Sequence, residues 1–183
     1  MRIVAVTGMP GAGKSTAAQP LVDRGWSRVV MGDVIREETK RRGLPPDEKN
    51  TGDVMKDLRR QRGEAAVAEL CIESIRRAES ENVVVDGIRS IAEVEVFRKS
   101  AQVLLVAVHA SRPRRFAFLK ERHRGDDPAS YEMFLRRDER ELEVGIGRAI
   151  ALADEMISNE HSTPEALSGE MLVLVDRWVH ASA

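Results

Sequence analysis

The sequence predicts an α/β fold in which helices cover both faces of a five-stranded parallel sheet. Three observations support this prediction. Apolar segments of strand length alternate with segments of helical length along the chain. The segments at residues 83–85 and 103–108 are apolar without alternation, which is typical of strands buried on both faces. A glycine-rich motif at residues 8–15 joins the first apolar segment to a helix-compatible segment, the order found in phosphate-binding loops.

The motif at residues 8–15 is a complete phosphate loop of the form G-x-x-x-x-G-K-[S/T]. It follows a β-branched run at residues 2–7, and a simple glycine-rich turn would leave Lys14 and Ser15 unexplained. In such a loop the backbone N–H groups surround the β-phosphate of a nucleotide, Lys14 bridges the β- and γ-phosphates, and Ser15 ligates Mg²⁺. The predicted nucleotide-binding residues are Gly8, Met9, Pro10, Gly11, Ala12, Gly13, Lys14, Ser15 and Thr16.

The order of the remaining elements continues the alternation. Residues 40–63 are polar and punctuated by glycine and proline, so we predict an exposed, mobile insertion with one short helix near residues 53–60. All 183 residues are expected to form one domain. Strands are predicted at residues 2–7, 26–31, 82–87, 103–108 and 155–158, and helices at residues 14–23, 34–38, 64–79, 91–99, 112–122, 131–142, 146–153 and 164–179.

The composition indicates a small-molecule partner. The 29 basic and 30 acidic residues give a net charge of −1, which leaves no electrostatic footprint for nucleic-acid binding. No apolar stretch approaches membrane-spanning length and Met1 leads directly into a strand, so we expect a cytoplasmic protein without a membrane partner. Cys71 is the only cysteine and lies on the apolar face of a helical segment, which predicts a core residue. The oligomeric state stays open.

Charged residues follow the second and third predicted strands. Asp33 and Arg36 come after the second strand, and Asp86 and Arg89 come at the end of the third. Ligands of parallel α/β sheets bind beyond the carboxyl ends of the strands, so these side chains should share a crevice with the phosphate loop. From that position Asp86 can hold a Mg²⁺-bound water, and the alternative is that it caps the following turn. Mg²⁺ is the expected cofactor.

Two segments resemble the nucleoside monophosphate kinases related to adenylate kinase. Met31-Gly32-Asp33-Val34-Ile35-Arg36 is similar to the segment whose arginine grips the acceptor phosphate in those kinases, which implies this role for Arg36. Asp86-Gly87-Ile88-Arg89 resembles their Asp-Gly-aromatic-Pro-Arg segment, which supplies a second acceptor-phosphate arginine. This segment is one residue shorter and lacks the proline. The resemblance implies that Asp33, Arg36 and Arg89 bind the acceptor.

The resemblance also implies a three-layer P-loop kinase fold with a short helical lid. Residues 37–63 would form the acceptor-side insertion and residues 120–140 the lid. The lid would be short and helical, because the long β-type or cysteine-rich insert of some adenylate kinases is absent from the sequence. In such kinases, the segment at the end of the lid carries arginines that close on the phosphates. The arginines at the start of the predicted lid are Arg122 and Arg124, and those at its return are Arg136, Arg137 and Arg140. The implied catalytic residues are Lys14, Asp33, Arg122, Arg136 and Arg140.

A closer resemblance covers four segments spread over the chain. Gly-Asp-Val-Ile-Arg-Glu-Glu, Asp-Gly-Ile-Arg-Ser, Arg-Arg-Asp-Glu-Arg-Glu-Leu and Ala-Asp-Glu-Met-Ile-Ser-Asn are similar to an archaeal family of adenylate-kinase-related proteins, also described as dephospho-CoA-kinase-like. The last segment also resembles the Ala-Asp-x-x-Ile-x-Asn of dephospho-CoA kinase, which precedes the base-binding region. Asn159 is therefore implied as an adenine contact, and the alternative is that it caps the end of a strand.

The acceptor determines the role of Asp33. With a phosphate-monoester acceptor the attacking oxygen is already anionic, and Asp33 would orient Mg²⁺-bound water. With a hydroxyl acceptor, as in dephospho-CoA, Asp33 would accept the proton in the transfer step. The two predicted acceptor arginines favour the first case. The favoured function is therefore an ATP-dependent nucleoside or deoxynucleoside monophosphate kinase, whose partners are ATP and a small phosphorylated acceptor.

Two functions of other classes compete with the kinase interpretation. A regulatory ATPase switch would use the phosphate loop without a second substrate and would hydrolyse ATP at a rate indifferent to small acceptors. A nucleic-acid-associated NTPase is suggested by the arginine clusters, but the near-neutral charge and the aromatic content of 4% argue against it. The sequence does not decide between ATP and GTP.

Overall fold

A computed structural model describes residues 1–78, 80–122 and 128–181, with the side chain of Glu48 left out. Within these residues, five parallel strands form one sheet in the order β2-β3-β1-β4-β5. The strands are β1 (Arg2–Thr7), β2 (Ser27–Val30), β3 (Asn82–Ile88), β4 (Gln102–His109) and β5 (Glu155–Ser158). The helices are α1 (Lys14–Asp23), α2 (Met31–Arg41), α3 (Glu48–Arg62), α4 (Ala66–Arg77), α5 (Ile91–Arg98), α6 (Arg112–Arg122), α7 (Tyr131–Val144), α8 (Ile146–Ala151) and α9 (Pro164–Ala181). The predicted five-stranded parallel sheet is confirmed.

The alternate residues of β1 divide the core into two layers. Ile3 and Ala5 pack on one face with residues of α2, α3, α4 and α5. Val4 and Val6 pack on the other face with residues of α1 and α9. Both faces of the strand are buried, which explains why the central strands carry apolar residues without alternation. The three-layer arrangement predicted from the sequence is therefore observed.

The segment at residues 40–63 differs from the prediction. It contains a helix of 15 residues instead of a short helix near residues 53–60, and Asp47 caps that helix by accepting a hydrogen bond from Asn50 N at 2.8 Å. Val54, Met55 and Leu58 on this helix are only 3–5% exposed and belong to the core. The prediction of an insertion more exposed than its surroundings was wrong at these positions, because three apolar residues on one helical face suffice to anchor a segment that is otherwise polar.

A β-bulge shapes the carboxyl end of the sheet. Val6 pairs with Asp86 but Thr7 pairs with Ile88, so Gly87 is the extra residue, and its φ of 104° suits glycine. The Thr7 hydroxyl fixes the bulge by donating to the Ile88 carbonyl at 2.9 Å. The bulge thus sets the direction of Asp86 next to the phosphate loop.

Helix α2 (Met31–Arg41) is longer than the predicted helix at residues 34–38 and includes Met31, which was predicted to end the second strand, but two other elements match their predicted bounds. Helix α6 spans the predicted residues 112–122, and β5 spans the predicted residues 155–158. The predicted loop at residues 124–128 lies largely outside the described residues. None of the helices in the described part of the chain is long and apolar enough to cross a membrane.

Candidate active site

A cleft of about 400 Å³ opens at the carboxyl ends of the strands. The phosphate loop forms one wall, the end of β3 forms the floor, and residues of α2, α6, α7 and α9 complete the lining. Lys14 and Ser15, predicted for the donor, therefore meet Arg36 and Arg89, predicted for the acceptor, in one cavity, as expected for the carboxyl edge of a parallel sheet. The charged residues in its lining are Lys14, Arg36, Asp86, Arg89, Arg114, Arg122, Arg137 and Glu141.

The phosphate loop is held in a conformation that only glycine fits. Gly8 has a φ of 143°, and a Cβ there would lie 2.3 Å from the carbonyl oxygen of Val108. Gly13, at the start of α1, has a φ of 98°, and a Cβ there would lie 2.4 Å from the Asn159 side-chain nitrogen. The glycines of the motif thus allow both the turn and the close packing of the loop on its neighbours.

The side chain of Lys14 is hydrogen-bonded to the phosphate loop. Its Nζ donates to the carbonyl oxygens of Gly8 at 2.7 Å and Met9 at 3.2 Å. Burial lowers the pKa of Lys14 to about 8, although the carboxylates of Asp86 and Glu141 act in the opposite direction. The site therefore favours an anionic group that restores the charge of this ammonium.

Asn159 supports the loop from the end of β5. Only 4% of this residue is exposed, and its Nδ2 donates to the Ala12 carbonyl at 3.0 Å. Its backbone N–H donates to the His109 carbonyl at 2.7 Å. Asn159 lines the cleft and its amide nitrogen is engaged with the phosphate loop, while its contact with adenine stays a prediction.

Ser15 and Asp86 form the candidate magnesium site. The Ser15 hydroxyl donates to Asp86 Oδ2 at 3.1 Å, and Asp86 is only 4% exposed. Magnesium prefers hard oxygen ligands and usually keeps several waters, so one hydroxyl and one nearby carboxylate fit it. Among the described residues, no group of three or more histidine, cysteine, aspartate or glutamate side chains is arranged to hold a metal.

Arg28 also binds Asp86, and sequence reasoning missed it. Its Nη2 lies 2.6 Å from Asp86 Oδ2, and β2 and β3 are paired so that Arg28 stands opposite Val84 on the same side as Asp86. One signal was available. Arg28 is the only charged residue of a short apolar strand, and a charge in such a position needs a partner.

The predicted acceptor residues are brought together in part. Arg36 and Arg89 both line the cleft. Arg89 lies 2.9 Å from Glu141 Oε2 through its Nε, so α7 helps to hold it. Asp33 lies outside this lining, its side chain is 57% exposed, and it accepts a hydrogen bond from Arg36 Nε at 3.1 Å. Asp33 is therefore placed to orient Arg36.

The lid arginines divide between three locations. Arg122 and Arg137 line the cleft. Arg136 instead turns to solvent, with a 78% exposed side chain that pairs with Glu132 at 2.7 Å. Arg140 lines a separate groove against α3. Arg124 lies outside the described residues. The structure therefore does not bring Arg136 and Arg140, two of the implied catalytic residues, into the cleft, because successive residues of α7 point about 100° apart.

A buried ion pair joins the predicted lid to the phosphate loop. Arg115 of α6 donates to Asp138 of α7 through two hydrogen bonds of 2.8 and 2.5 Å. The same guanidinium donates to the carbonyl of Pro10 in the phosphate loop at 3.0 Å. Arg115 is 3% exposed and Asp138 is fully buried. One side chain thus connects two helices and the loop.

Comparison with known proteins agrees with this architecture. Residues 7–134 match the family model described as an AAA domain. A UPF0200 protein of Methanocaldococcus jannaschii is 45% identical over 92% of this chain and 86% of its own length. A UPF0200 protein of Thermococcus kodakarensis is 44% identical over 97% of this chain and 98% of its own length. The chain belongs to the UPF0200 family.

Solved structures identify the fold of this UPF0200 chain. A sugar kinase from Janibacter sp. has a TM-score of 0.59 and 20% identity, and the match covers 96% of this chain and 95% of that one. Shikimate kinase from Bacteroides thetaiotaomicron has a TM-score of 0.58 and 17% identity, with 95% and 98% covered. The UPF0200 chain therefore has a P-loop kinase fold, as the sequence predicted.

Proposed function

We propose that this chain is a Mg²⁺-dependent kinase that transfers the γ-phosphoryl group of ATP to the phosphate of a small acceptor, such as a nucleoside or deoxynucleoside monophosphate. One observation carries the proposal. Lys14 of the phosphate loop and the acceptor-side arginines Arg36 and Arg89 line the same cavity. A cavity with cationic groups for both substrates suits phosphoryl transfer, which depends on positioning and charge neutralisation.

The donor side would hold the triphosphate in the phosphate loop. Backbone N–H groups of residues 8–15 would bind the β-phosphate, and Lys14 would reach the β- and γ-phosphates. Ser15 would ligate Mg²⁺ directly and Asp86 would hold it through a water, as their contact at 3.1 Å supports. When bound, Mg²⁺ supplies charge neutralisation on the β- and γ-phosphates.

The acceptor side would fix the attacking oxygen. Arg36 and Arg89 would hold the acceptor phosphate, with Asp33 and Glu141 orienting these two guanidinium groups through the contacts described. Because an acceptor phosphate is already anionic, no base is required, and Asp33 has a positioning role. We propose that residues 37–63 form the acceptor-side region.

Arginines of the lid would complete the site. We propose residues 120–140 as the lid, with Arg122 and Arg137 facing the transferring phosphoryl group, and Arg137 takes the place implied for Arg136. Closure of such a lid would exclude water and protect the γ-phosphate from hydrolysis. The buried Arg115–Asp138 pair would transmit the position of α7 to the phosphate loop.

The proposal is tested by product analysis. The purified protein is incubated with Mg²⁺-ATP and a panel of nucleoside monophosphates, deoxynucleoside monophosphates and dephospho-CoA, and products are identified by mass spectrometry. We expect a phosphorylated product from a monophosphate. Phosphorylated dephospho-CoA would instead make Asp33 a base, and ADP release without any phosphorylated acceptor would favour the ATPase switch.

Paired variants test the residue roles. Arg137→Ala should lower kcat/KM by about tenfold or more, because a charge-assisted hydrogen bond contributes about 1.5–3 kcal/mol. Arg136→Ala is the matched control, since its side chain is 78% exposed and faces away from the cleft. Arg36→Ala should raise the KM of the acceptor and leave the affinity for ATP unchanged. Equal loss in both α7 variants would contradict the assignment of Arg137.

A further inference from the structure

A second groove lies between α3 and α7. It has a volume of about 290 Å³ and is lined by Lys49, Gly52, Asp53 and Lys56 of α3 and by Arg140 of α7. The four α3 residues follow the spacing i, i+3, i+4, i+7, so they form one face of that helix. Among the described residues that line it, the groove combines three cationic side chains with one carboxylate.

Gly52 forms an open floor in this groove. A glycine inside a helix costs about 1 kcal/mol relative to alanine, so its presence calls for a structural or functional reason. Packing does not supply one, because a Cβ at Gly52 would meet nothing within 4 Å. Lys49 and Lys56 flank this bare stretch of helix, and a ligand is able to approach the backbone between them.

The two lysines differ from the other basic residues of α3. Arg59, Arg60 and Arg62 are each paired with a carboxylate, namely Glu93, Asp57 and Glu69. Within the described part of the chain, neither Lys49 nor Lys56 has a carboxylate oxygen within 4.0 Å. Their charges are therefore free to serve an anion that comes from outside the protein.

Both helices that line the groove also carry residues of the cleft or of its acceptor side. On α7, Arg137 lines the cleft and Arg140, three residues later, lines the groove. On α3, Met55 Sδ lies 2.9 Å from Nη1 of Arg89, a proposed acceptor ligand, and Lys56 is the next residue. The two lysines therefore lie on the same helix as the residue that contacts Arg89.

We propose that this groove binds a second anionic group of the acceptor, a phosphate or a carboxylate remote from the phosphoryl acceptor atom. This inference rests on the proposed function and narrows its substrate class from simple monophosphates to acceptors with two separated anionic groups. Asp53 would accept a hydrogen bond from a hydroxyl or amino group beside the second anion.

Binding measurements test the proposal directly. With the protein saturated with a non-hydrolysable ATP analogue and Mg²⁺, calorimetry compares adenosine 5′-monophosphate with adenosine 3′,5′-bisphosphate, adenosine 2′,5′-bisphosphate and dephospho-CoA. The two bisphosphates place a second, separate phosphate at different distances from the 5′-phosphate, whereas the two phosphates of dephospho-CoA are joined directly to each other. We expect at least one of these three probes to bind about tenfold more tightly than the monophosphate, and the Lys49→Gln/Lys56→Gln variant to lose that preference. Equal affinity of the unaltered protein for all four probes would overturn the proposal.

Two control variants separate binding from folding. Arg60→Gln/Arg62→Gln removes the same charge from the same helix and should retain the preference. Gly52→Ala should keep or raise the melting temperature, because alanine favours a helix, while its methyl group fills the floor and weakens binding of the preferred probe. A Gly52→Ala protein that binds every probe as the unaltered protein does would contradict the open-floor argument.

Two further comparisons show whether the anion in the groove belongs to the acceptor, and whether the groove proposal or the proposed kinase activity fails. If millimolar inorganic phosphate strengthens monophosphate binding and no probe is preferred, the groove binds a separate anion and the assignment to the acceptor fails. Transfer to a monophosphate without any preference among the probes contradicts this inference alone. A groove-dependent preference without phosphoryl transfer to any acceptor contradicts the proposed function alone.

Discussion

The Arg115–Asp138 pair should be a principal determinant of stability. Asp138→Asn keeps the size of the side chain but removes the negative charge that faces a guanidinium only 3% exposed. It also removes a second, longer contact with Arg112 at 3.7 Å. Breaking a buried ion pair from one side typically costs about 3–5 kcal/mol. Since a protein of this size loses about 2–4 °C in Tm per kcal/mol, Tm should fall by roughly 6–20 °C.

The decrease in the free energy of unfolding is measured by urea unfolding, monitored by far-UV circular dichroism. Glu132→Gln is the matched control on the same helix, because its pair with Arg136 is exposed and should contribute about 0.5 kcal/mol or less. Replacing both partners, as in Arg115→Met/Asp138→Leu, should recover much of the loss, because an apolar pair leaves no buried charge uncompensated. A decrease below about 1 kcal/mol in Asp138→Asn would refute the reasoning, since burial of an unpaired guanidinium must cost more.

Three further predictions concern the loop, the metal site and the core. Because the pKa of Lys14 is lowered to about 8, the free protein loses this charge as pH rises through 8, so the affinity for a non-hydrolysable ATP analogue should fall by up to about tenfold per pH unit above that value. The same shift means that the unfolded chain binds more protons than the folded chain between pH 8 and 10.5, so the cost of burying this ammonium disfavours folding below pH 8 and disappears as pH rises toward 10.5. A Lys14→Met variant should lose both pH dependences, and an ATP-analogue affinity that stays the same from pH 7 to 9.5 would contradict the assignment. Ser15→Ala should raise the Mg²⁺ concentration needed for half-maximal activity by about tenfold while leaving the melting temperature nearly unchanged, and an unaltered Mg²⁺ titration would exclude Ser15 as a ligand. Burial raises the pKa of Cys71 to about 12, so iodoacetamide at pH 8 should label it only after unfolding in urea, and rapid labelling of the native protein, detected by mass spectrometry, would show that the thiol is accessible.

The sequence was sufficient for the parts of the fold that depend on local pattern. The phosphate loop, the bounds of α6 and β5 and the apolar central strands all follow from periodicity and spacing. The length of helix α3 was underestimated because its buried face has only three apolar residues, Val54, Met55 and Leu58, within a polar segment. Its length became clear only from the packing of that face on the core.

The side-chain pairings of the site depended on information that the sequence lacks. Predicting Arg137 in the cleft in place of Arg136 requires the rotation of α7 to be known within about 100°. The contact of Asn159 with the Ala12 carbonyl joins residues 147 positions apart. The contact of Arg28 with Asp86 depends on the register between β2 and β3. Long-range contacts of this kind follow from the fold and not from a local pattern.

The central claim is that the γ-phosphoryl group passes to an acceptor and not to water. The most direct measurement is ³¹P NMR of Mg²⁺-ATP mixed with the protein and the best acceptor of the panel, with ADP, inorganic phosphate and the phosphorylated acceptor followed together. We expect ADP and a new phosphoanhydride to form in equal amounts, and both products to be lost in Lys14→Met. Equal amounts of ADP and inorganic phosphate, formed at a rate that the acceptor does not change, would contradict the claim.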